Sequence, residues 1–293
     1  MKFNLNNPAF LQAAGSRVVG GATFFIEALE YCEFSLYGSR LGDFYENLEF
    51  SFDNGESWYE PNFSADYSLS KNQRMLIRNK TKINFTPQLF QRSFANIEAP
   101  YKIGGDIVKL FYPNELPDYG FEMFFFKDKY LSDVSQLELR IKEVPAGFFE
   151  EMFRECSNLV AAPEELPASI VRYGGYGKMF YGCVNLSVAP KLPAVTLGSW
   201  CYTEMFSGCI SLMEAPELPA KVLVENCYTL MFNGCSQINM VTCLAENIPN
   251  PNCTTNWLKD VATNGTFTKA AGVEWPEGVS GIPSGWTVQD HVG

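Results

Sequence analysis

The chain has 293 residues, of which 46% are hydrophobic and 15% aromatic, so it can bury a sizeable core and is too rich in aromatic residues to be disordered. Its formal net charge is -11, from 22 Lys and Arg against 33 Asp and Glu. This charge repels phosphate backbones and anionic lipid surfaces, and no stripe of Lys or Arg offsets it, so we expect no nucleic acid partner.

The first residues predict neither a secretion signal nor a membrane anchor. A single Lys is followed by polar residues where a signal peptide needs an unbroken apolar run. No stretch approaches the roughly 20 apolar residues of a membrane-spanning helix. We therefore expect synthesis in the cytoplasm without export by the general secretory route, and no membrane insertion.

Residues 1–112 are predicted to form a β-rich domain. Its strand-like runs follow one another at short spacing: 22–34, 48–52, 75–78 and 82–85. Asp53-Asn54-Gly55 predicts a tight turn, because Asn-Gly readily adopts the positive φ that such a turn requires. Short strands with turn signals are typical of a small β-sandwich, to which we assign an anchoring role.

A block of sequence that recurs every 26 or 27 residues dominates the rest of the chain. Cys201–Ala220 reads CYTEMFSGCISLMEAPELPA, and the stretch from Gly175 reads GYGKMFYGCVNLSVAPKLPA. Met-Phe pairs keep this period at 152/153, 179/180, 205/206 and 231/232. A period of this length is typical of a solenoid, whose repeats stack because one unit cannot bury its apolar face alone.

Each repeat is predicted to contain a short helix, a short strand and a turn. Cys201, Met205 and Cys209 lie four residues apart, which places them on one side of a helix that ends at Gly208. The prolines that follow are expected to hold the chain extended. We count five repeats, marked by phenylalanines at 125, 153, 180, 206 and 232.

The predicted fold class is therefore α+β, with a β-sandwich-like domain followed by a solenoid. The solenoid is assigned to residues 113–248 and a C-terminal cap to residues 249–293, with a helix that begins at Thr254 or Thr255.

The nine cysteines are predicted to be buried thiols rather than reactive groups. Six of them keep the period of the repeat, and free Cys is among the most buried residue types. Disulfides and metal binding are the alternatives, although cytoplasmic synthesis favours thiols.

The sequence offers few groups for catalysis, and we predict no catalytic residue, no metal site and no cofactor. His291 is the only histidine and lies near the C-terminus, which argues against histidine-dependent catalysis and two-histidine metal sites in the body of the chain. The cysteines lack the spacing of zinc ligands. Gly174–Gly177 suggests a phosphate loop but is not followed by the lysine-serine pair of a Walker motif. Paired carboxylates for glycoside cleavage stay an open alternative.

The repeat MFxGCxxLxxAPxLPA resembles the BspA-like leucine-rich repeats of the Treponema type. CTTNWLKDVATNGTFTKA and SGIPSGWTVQD resemble the cap that ends such arrays, and EFSFDNGESWYEPN followed by MLIRN is similar to a β-module placed before them. The resemblance is specific over about residues 146–290 and looser over 48–145. It implies adhesion, since such arrays occur on surface proteins of gut bacteria and in their phages.

We combine the resemblance with the missing signal to predict a non-enzymatic phage virion protein of a fibre, a tail or a capsid decoration. Residues 1–112 would contact other virion proteins, and the solenoid would bind a host surface glycan or protein. Whether the chain forms a homo-oligomer is left open. A bacterial cell-surface adhesin is the alternative, and a carbohydrate-active enzyme is the third hypothesis.

The binding residues are not assigned from the sequence. Six positions vary at fixed places in the repeat and are predicted to face outward, for binding or simply towards solvent: Lys178, Tyr181, Glu204, Ser207, Leu230 and Asn233.

Overall fold

A computed structural model describes residues 24–36, 48–62, 64–79, 95–111, 116–248 and 251–292. These residues form two compact units. The first comprises the described residues up to Leu116 together with Tyr130–Leu139, and the second comprises Pro117–Lys129 and the described residues from Arg140 onward. The predicted strand at 82–85 lies outside the described residues.

The first unit is built from short strands. Those in its described part are β1 (Phe24–Ala28), β2 (Cys32–Leu36), β3 (Leu48–Ser51), β4 (Asp66–Leu69), β5 (Arg74–Asn79), β6 (Ala95–Ile97), β7 (Tyr101–Asp106) and β8 (Leu131–Glu138). One sheet has the order β3-β5-β1-β7-β8 and the other the order β4-β2-β6. β7 and β8 are parallel, whereas the other pairs are antiparallel. A 3-10 helix, Ile107–Leu110, follows β7.

The sequence pattern explains the strands of this unit. Along β2, Cys32, Phe34 and Leu36 are buried while the residues between them are exposed, as expected for a strand with one face on the core. The turn predicted after β3 is present, with φ of 58° at Asn54 and 90° at Gly55.

The second unit repeats one structural element, here called the turn segment. Five turn segments are residues 119–128, 147–156, 174–183, 200–209 and 226–235, and the same pattern continues through Asn256 and Asp260. Every fourth residue in a segment has positive φ, for example 53° at Glu204 and 77° at Gly208. Alternate amides donate to the carbonyl three residues earlier, as Met205 does to Tyr202 at 3.2 Å. The amides between them donate to the next segment, as Phe206 does to Met231 at 2.9 Å.

The predicted fold class is wrong. Instead of an α+β chain with a leucine-rich-repeat solenoid and a C-terminal cap, the described residues are nearly all β, with four small sheets and no α-helix. The helix expected from Thr254 or Thr255 is also absent there, and Pro251–Thr254 forms a short 3-10 helix instead.

The failure has a physical cause in the four-residue spacing. Cys201, Met205 and Cys209 are all fully buried, as predicted. A spacing of four brings residues to one side both in an α-helix and in a series of four-residue turns. A residue with positive φ at every fourth position is incompatible with a right-handed helix, so the sequence forms the turns.

Short parallel strands join successive repeats of the second unit. β9 (Glu143–Val144), β10 (Ile170–Val171) and β11 (Thr196–Leu197) form a sheet in the order β11-β10-β9. Nearer the C-terminus, β12 (Met240–Cys243), β13 (Thr266–Lys269) and β14 (Thr287–Asp290) pair in sequence order.

Aromatic rings fill the core of the second unit in two columns. The first column has ring centroids 5.5 to 5.8 Å apart and contains Phe125, Phe153, Phe180, Phe206 and Phe232. The second contains Phe121, Phe149, Tyr176, Tyr202, Tyr228 and Trp257. Stacked rings at these distances stabilise the repeats beyond the burial of their area.

Four of the cysteines that keep the period of the repeat contact the first column: Cys156, Cys183, Cys209 and Cys235. All nine cysteines are free and buried, which confirms the predicted buried thiols. The Cys156 thiol donates to the Phe125 carbonyl at 3.0 Å, and the Cys183 thiol donates to the Phe153 carbonyl at 3.1 Å. The thiol is therefore a hydrogen-bond donor between repeats as well as an apolar group.

Candidate binding face

The groups considered for catalysis have structural explanations. His291 follows β14, where its amide donates to the Lys269 carbonyl at 2.7 Å. Cys209 faces the Phe180 carbonyl, to which its thiol donates at 3.1 Å. Gly174–Gly177 begins a turn segment, and Gly174 has a φ of 62°. In the described ranges, no group of three or more His, Cys, Asp or Glu side chains is arranged to hold a metal ion.

Most of the six positions predicted to face outward are occupied by contacts within the chain. Lys178 is half-buried and lies 3.4 Å from a carboxylate oxygen of Glu151 and 3.9 Å from one of Glu204. The Tyr181 ring lies under the Arg154 guanidinium, 5.1 Å from the ring centroid.

The remaining three positions are also at least partly covered. Ser207 is buried, and its hydroxyl accepts a hydrogen bond from the Asn233 amide at 3.2 Å. Leu230 and Asn233 are half-buried. These side chains are therefore engaged in, or partly covered by, the stack of turn segments.

Three aromatic side chains at the starts of turn segments are exposed instead. Tyr119 and Trp200 occupy the same position of their segments, and Tyr173 immediately precedes that position in another segment. Their exposed fractions are 41%, 41% and 53%. The Tyr119 ring lies over Gly147, where a Cβ atom would come within 2.2 Å of it. Together with Glu122 and Glu150, we call these side chains the aromatic face.

Glu150 is the most perturbed acid of this face. Burial, then the charges of Glu122 and Glu151, raise its pKa to about 7, while Lys178 opposes the shift. One carboxylate oxygen of Glu150 would lie 3.2 Å from a Cβ at Gly174, so the glycine leaves room for it. No hydrogen bond or ion pair with a described residue reaches this carboxylate. Near neutral pH the group can therefore both donate and accept hydrogen bonds.

The pKa values of two neighbours of Glu150 are raised as well. Burial and then the charge of Glu151 raise the pKa of Glu122. Burial, then Glu150 and Tyr173, raise the pKa of Tyr119. The aromatic face thus combines flat apolar rings with hydroxyl and carboxyl groups that are held near one another. Such a surface can stack on an apolar ligand face and bind hydroxyl groups at its edge.

A groove forms a second candidate site in the same unit, and we call it the proline groove. Its volume is about 780 Å³. It is lined by Glu165, residues 187–193, residues 213–217 and Pro219. These residues include the recurring Ala-Pro and Leu-Pro motifs of two successive repeats.

No family model, curated protein or solved structure matches this chain. The resemblance to BspA-like repeats therefore stays a prediction. Within the part of the chain that the structure describes, no helix combines the length and the apolar character needed to cross a membrane.

Sequence reasoning found neither surface. Tyr119 and Trp200 lie a few residues before the recurring Met-Phe and Cys positions on which the repeats were aligned. In the two repeats between them, glycine occupies the equivalent position. Extending the repeat alignment by a few residues towards the N-terminus would have shown the aromatic residues at a common position.

Proposed function

We propose that this chain is a non-enzymatic attachment protein that binds a surface glycan through the aromatic face. The observation that supports it is the exposure of Tyr119, Tyr173 and Trp200 beside Glu150, whose carboxylate has no partner within the described chain. Single exposed aromatic residues are common on proteins, but three neighbouring ones beside an unpaired acid suit a sugar, which has apolar ring faces and polar edges.

The scaffold under this face favours binding by a preformed surface. Gly147 donates to the Tyr173 carbonyl at 2.8 Å, and Trp200 donates to the Glu225 carbonyl at 3.1 Å. Backbone links of this kind hold the segments that carry the aromatic residues. The protein therefore loses less conformational entropy when a ligand binds.

The biological setting of the proposal rests on the resemblance of the repeats to the BspA-like family. We propose a phage virion component, in which residues 1–112 contact other virion proteins, with a bacterial surface adhesin as the alternative. Mass spectrometry of purified particles and of washed uninfected cells separates the two. A fixed copy number on particles supports a virion protein, whereas presence on uninfected cells alone would favour the adhesin.

Glycan binding is tested with surface polysaccharide from the host bacterium. We expect Trp200→Ala and Tyr173→Ala each to weaken binding by about tenfold or more, as the loss of a central aromatic contact does. Tyr31→Ala is the matched control, because Tyr31 is 59% exposed but belongs to the first unit. Equal binding by all three variants would contradict the proposal.

A carbohydrate-active enzyme is the second candidate function. The raised pKa of Glu150 favours it, since a general acid works best with a pKa near the working pH. The same polysaccharide is incubated with the protein and with Glu150→Gln, and the chain length of the sugar is followed. Shortening by the native protein alone would replace the binding proposal with hydrolysis, and an unchanged length supports binding.

A further inference from the structure

The proline groove lies where the backbone hydrogen bonds between successive repeats are interrupted. On one side, the Lys191 amide donates to the Glu164 carbonyl at 2.9 Å, and the Lys191 carbonyl accepts from Leu166 at 3.0 Å. On the other side, Leu218 donates to the Thr242 carbonyl at 3.0 Å and accepts from Leu244 at 2.9 Å. Both segments thus pair away from the groove.

The two facing segments are joined by one backbone hydrogen bond at the start of the groove, from the Met213 amide to the Ser187 carbonyl at 3.5 Å, and do not pair beyond it. In the described chain, no backbone hydrogen bond joins residues 189–193 to residues 215–219. Pro190 and Pro219, which directly adjoin Lys191 and Leu218, remove donors from these facing edges. The interruption is therefore set by the sequence of the repeat itself.

Backbone groups at the edges of the groove stay available. Lys191 and Leu218 direct their N–H and C=O groups to the outer neighbours, and successive residues of an extended chain direct these groups to opposite sides. Leu192 and Glu217 accordingly present theirs to the groove. Neither amide has a hydrogen-bond partner among the described residues.

The side chains of the groove add apolar surface and negative charge. Val188 is 72% exposed and Met213 is 64% exposed. Glu165, Glu214 and Glu217 are exposed and form no ion pair within the described residues.

The one cation among the lining residues offsets these acids only in part. Lys191 lies 2.8 Å from Glu164, which is outside the groove lining, and its charge also interacts with that of Glu165. Glu214 and Glu217 form no ion pair in the described chain, so the groove is apolar with a net negative charge.

We propose that the proline groove binds an extended, basic peptide segment of another protein. The peptide would take hydrogen bonds from the Leu192 and Glu217 amides, as a strand does when it is added to an open sheet edge. Its apolar side chains would pack on Val188 and Met213, and its basic ones would approach the three acids. A volume of about 780 Å³ is within the range of ligand sites.

Charge complementarity argues against a second copy of this chain as the occupant. The chain carries a net charge of -11, so two copies repel each other on average. A basic peptide segment is instead attracted by the negative charge of the chain. The site is separate from the aromatic face, and the proposal goes beyond glycan binding.

The test uses the full chain and a fluorescein-labelled hexapeptide of alternating Lys and Val, followed by fluorescence anisotropy. We expect saturable binding that the charge-reversal pair Glu214→Lys and Glu217→Lys weakens by about tenfold or more. The matched control is Glu274→Lys, which changes an exposed acid outside the groove. A hexapeptide of alternating Glu and Val should not bind.

A second pair of variants separates the backbone contact from the charge. Glu217→Gln and Glu217→Pro remove the same carboxylate, but only the proline removes the amide donor. We expect the proline variant to bind the basic peptide more weakly than the glutamine variant, while both keep the thermal unfolding midpoint of the native chain. Equal binding by these two variants would overturn strand addition. Equal weakening by Glu274→Lys and by the groove reversal would show unspecific attraction and would overturn the site.

Discussion

The thiol of Cys209 donates a hydrogen bond to the carbonyl oxygen of Phe180, one repeat earlier, at 3.1 Å. The same carbonyl accepts the amide of Cys183 at 3.1 Å. Each such cysteine therefore joins two repeats through a group that already has a local partner. Loss of the thiol removes a second bond and packing volume without leaving the carbonyl unpaired.

We predict that Cys209→Ala lowers the free energy of unfolding by about 1–2 kcal/mol, from a lost hydrogen bond and a small cavity. Urea unfolding measures the change. Cys201→Ala is the control, because Cys201 is equally buried but, within the described chain, its thiol makes backbone hydrogen bonds only inside its own repeat. An equal loss in both variants would mean that only the volume of the cysteine matters.

The buried thiols should make the protein less stable in alkali. Burial raises the pKa of Cys235 and of Cys243 to about 12, from an ordinary value of 9.0. The folded state then keeps protons that the unfolded state releases, so stability is complete below about pH 9 and falls as the pH rises towards 12. Unfolding followed across this range should show the decline. Alkylation by iodoacetamide should label the cysteines only after the chain is denatured.

Glu150 should contribute a pH dependence near neutrality. Because its pKa is raised from 4.5 to about 7, its contribution to stability is complete below pH 4.5 and is lost as the pH rises through 7. We expect Glu150→Gln to match the native protein in acid and to exceed it above neutrality by on the order of 1–2 kcal/mol, after allowance for solvent screening. Glu274→Gln, an exposed acid, should leave the pH profile unchanged.

The left-handed positions of the turn segments predict opposite effects for two substitutions. Leu230 has a φ of 54°, which costs a residue with a Cβ atom about 1 kcal/mol or more. Leu230→Asn should therefore raise the midpoint of thermal unfolding, since Asn tolerates this conformation. Gly208→Ala should lower the midpoint and cost a similar free energy, because φ is 77° at this position. The added Cβ has room, since no atom lies closer to it than 3.7 Å, so the cost comes from the backbone alone. Changes of the same sign would contradict the assigned backbone conformation.

The sequence predicted which residues are buried better than it predicted the backbone that buries them. Met205, Phe206 and Cys209 are in the core because the period of the repeat demands equivalent positions for them. Positive φ could be anticipated only where glycine recurs, as at Gly208 and Gly234. Glu204 and Lys178 adopt it too, and their side chains give no local signal of it.

The candidate sites depend on features that do not recur in every repeat. Trp200 has glycine at the equivalent position of two earlier segments, so periodicity hides it. Isolated parallel bridges at Lys191 and Leu218 agree with the extended chain expected around the recurring prolines. The opening of the groove, however, depends on the neighbours with which Lys191 and Leu218 pair, and long-range pairing of this kind cannot be predicted from local sequence.

The alternation of amides along the turn segments has a consequence for synthesis. A segment such as 200–209 gives half of its donors to carbonyls that lie 25 residues further along the chain. During translation, each segment is therefore synthesised before the carbonyl groups that accept these hydrogen bonds. Each segment becomes complete only when its successor emerges, so the nascent chain carries an unfinished edge that moves towards the C-terminus as translation proceeds.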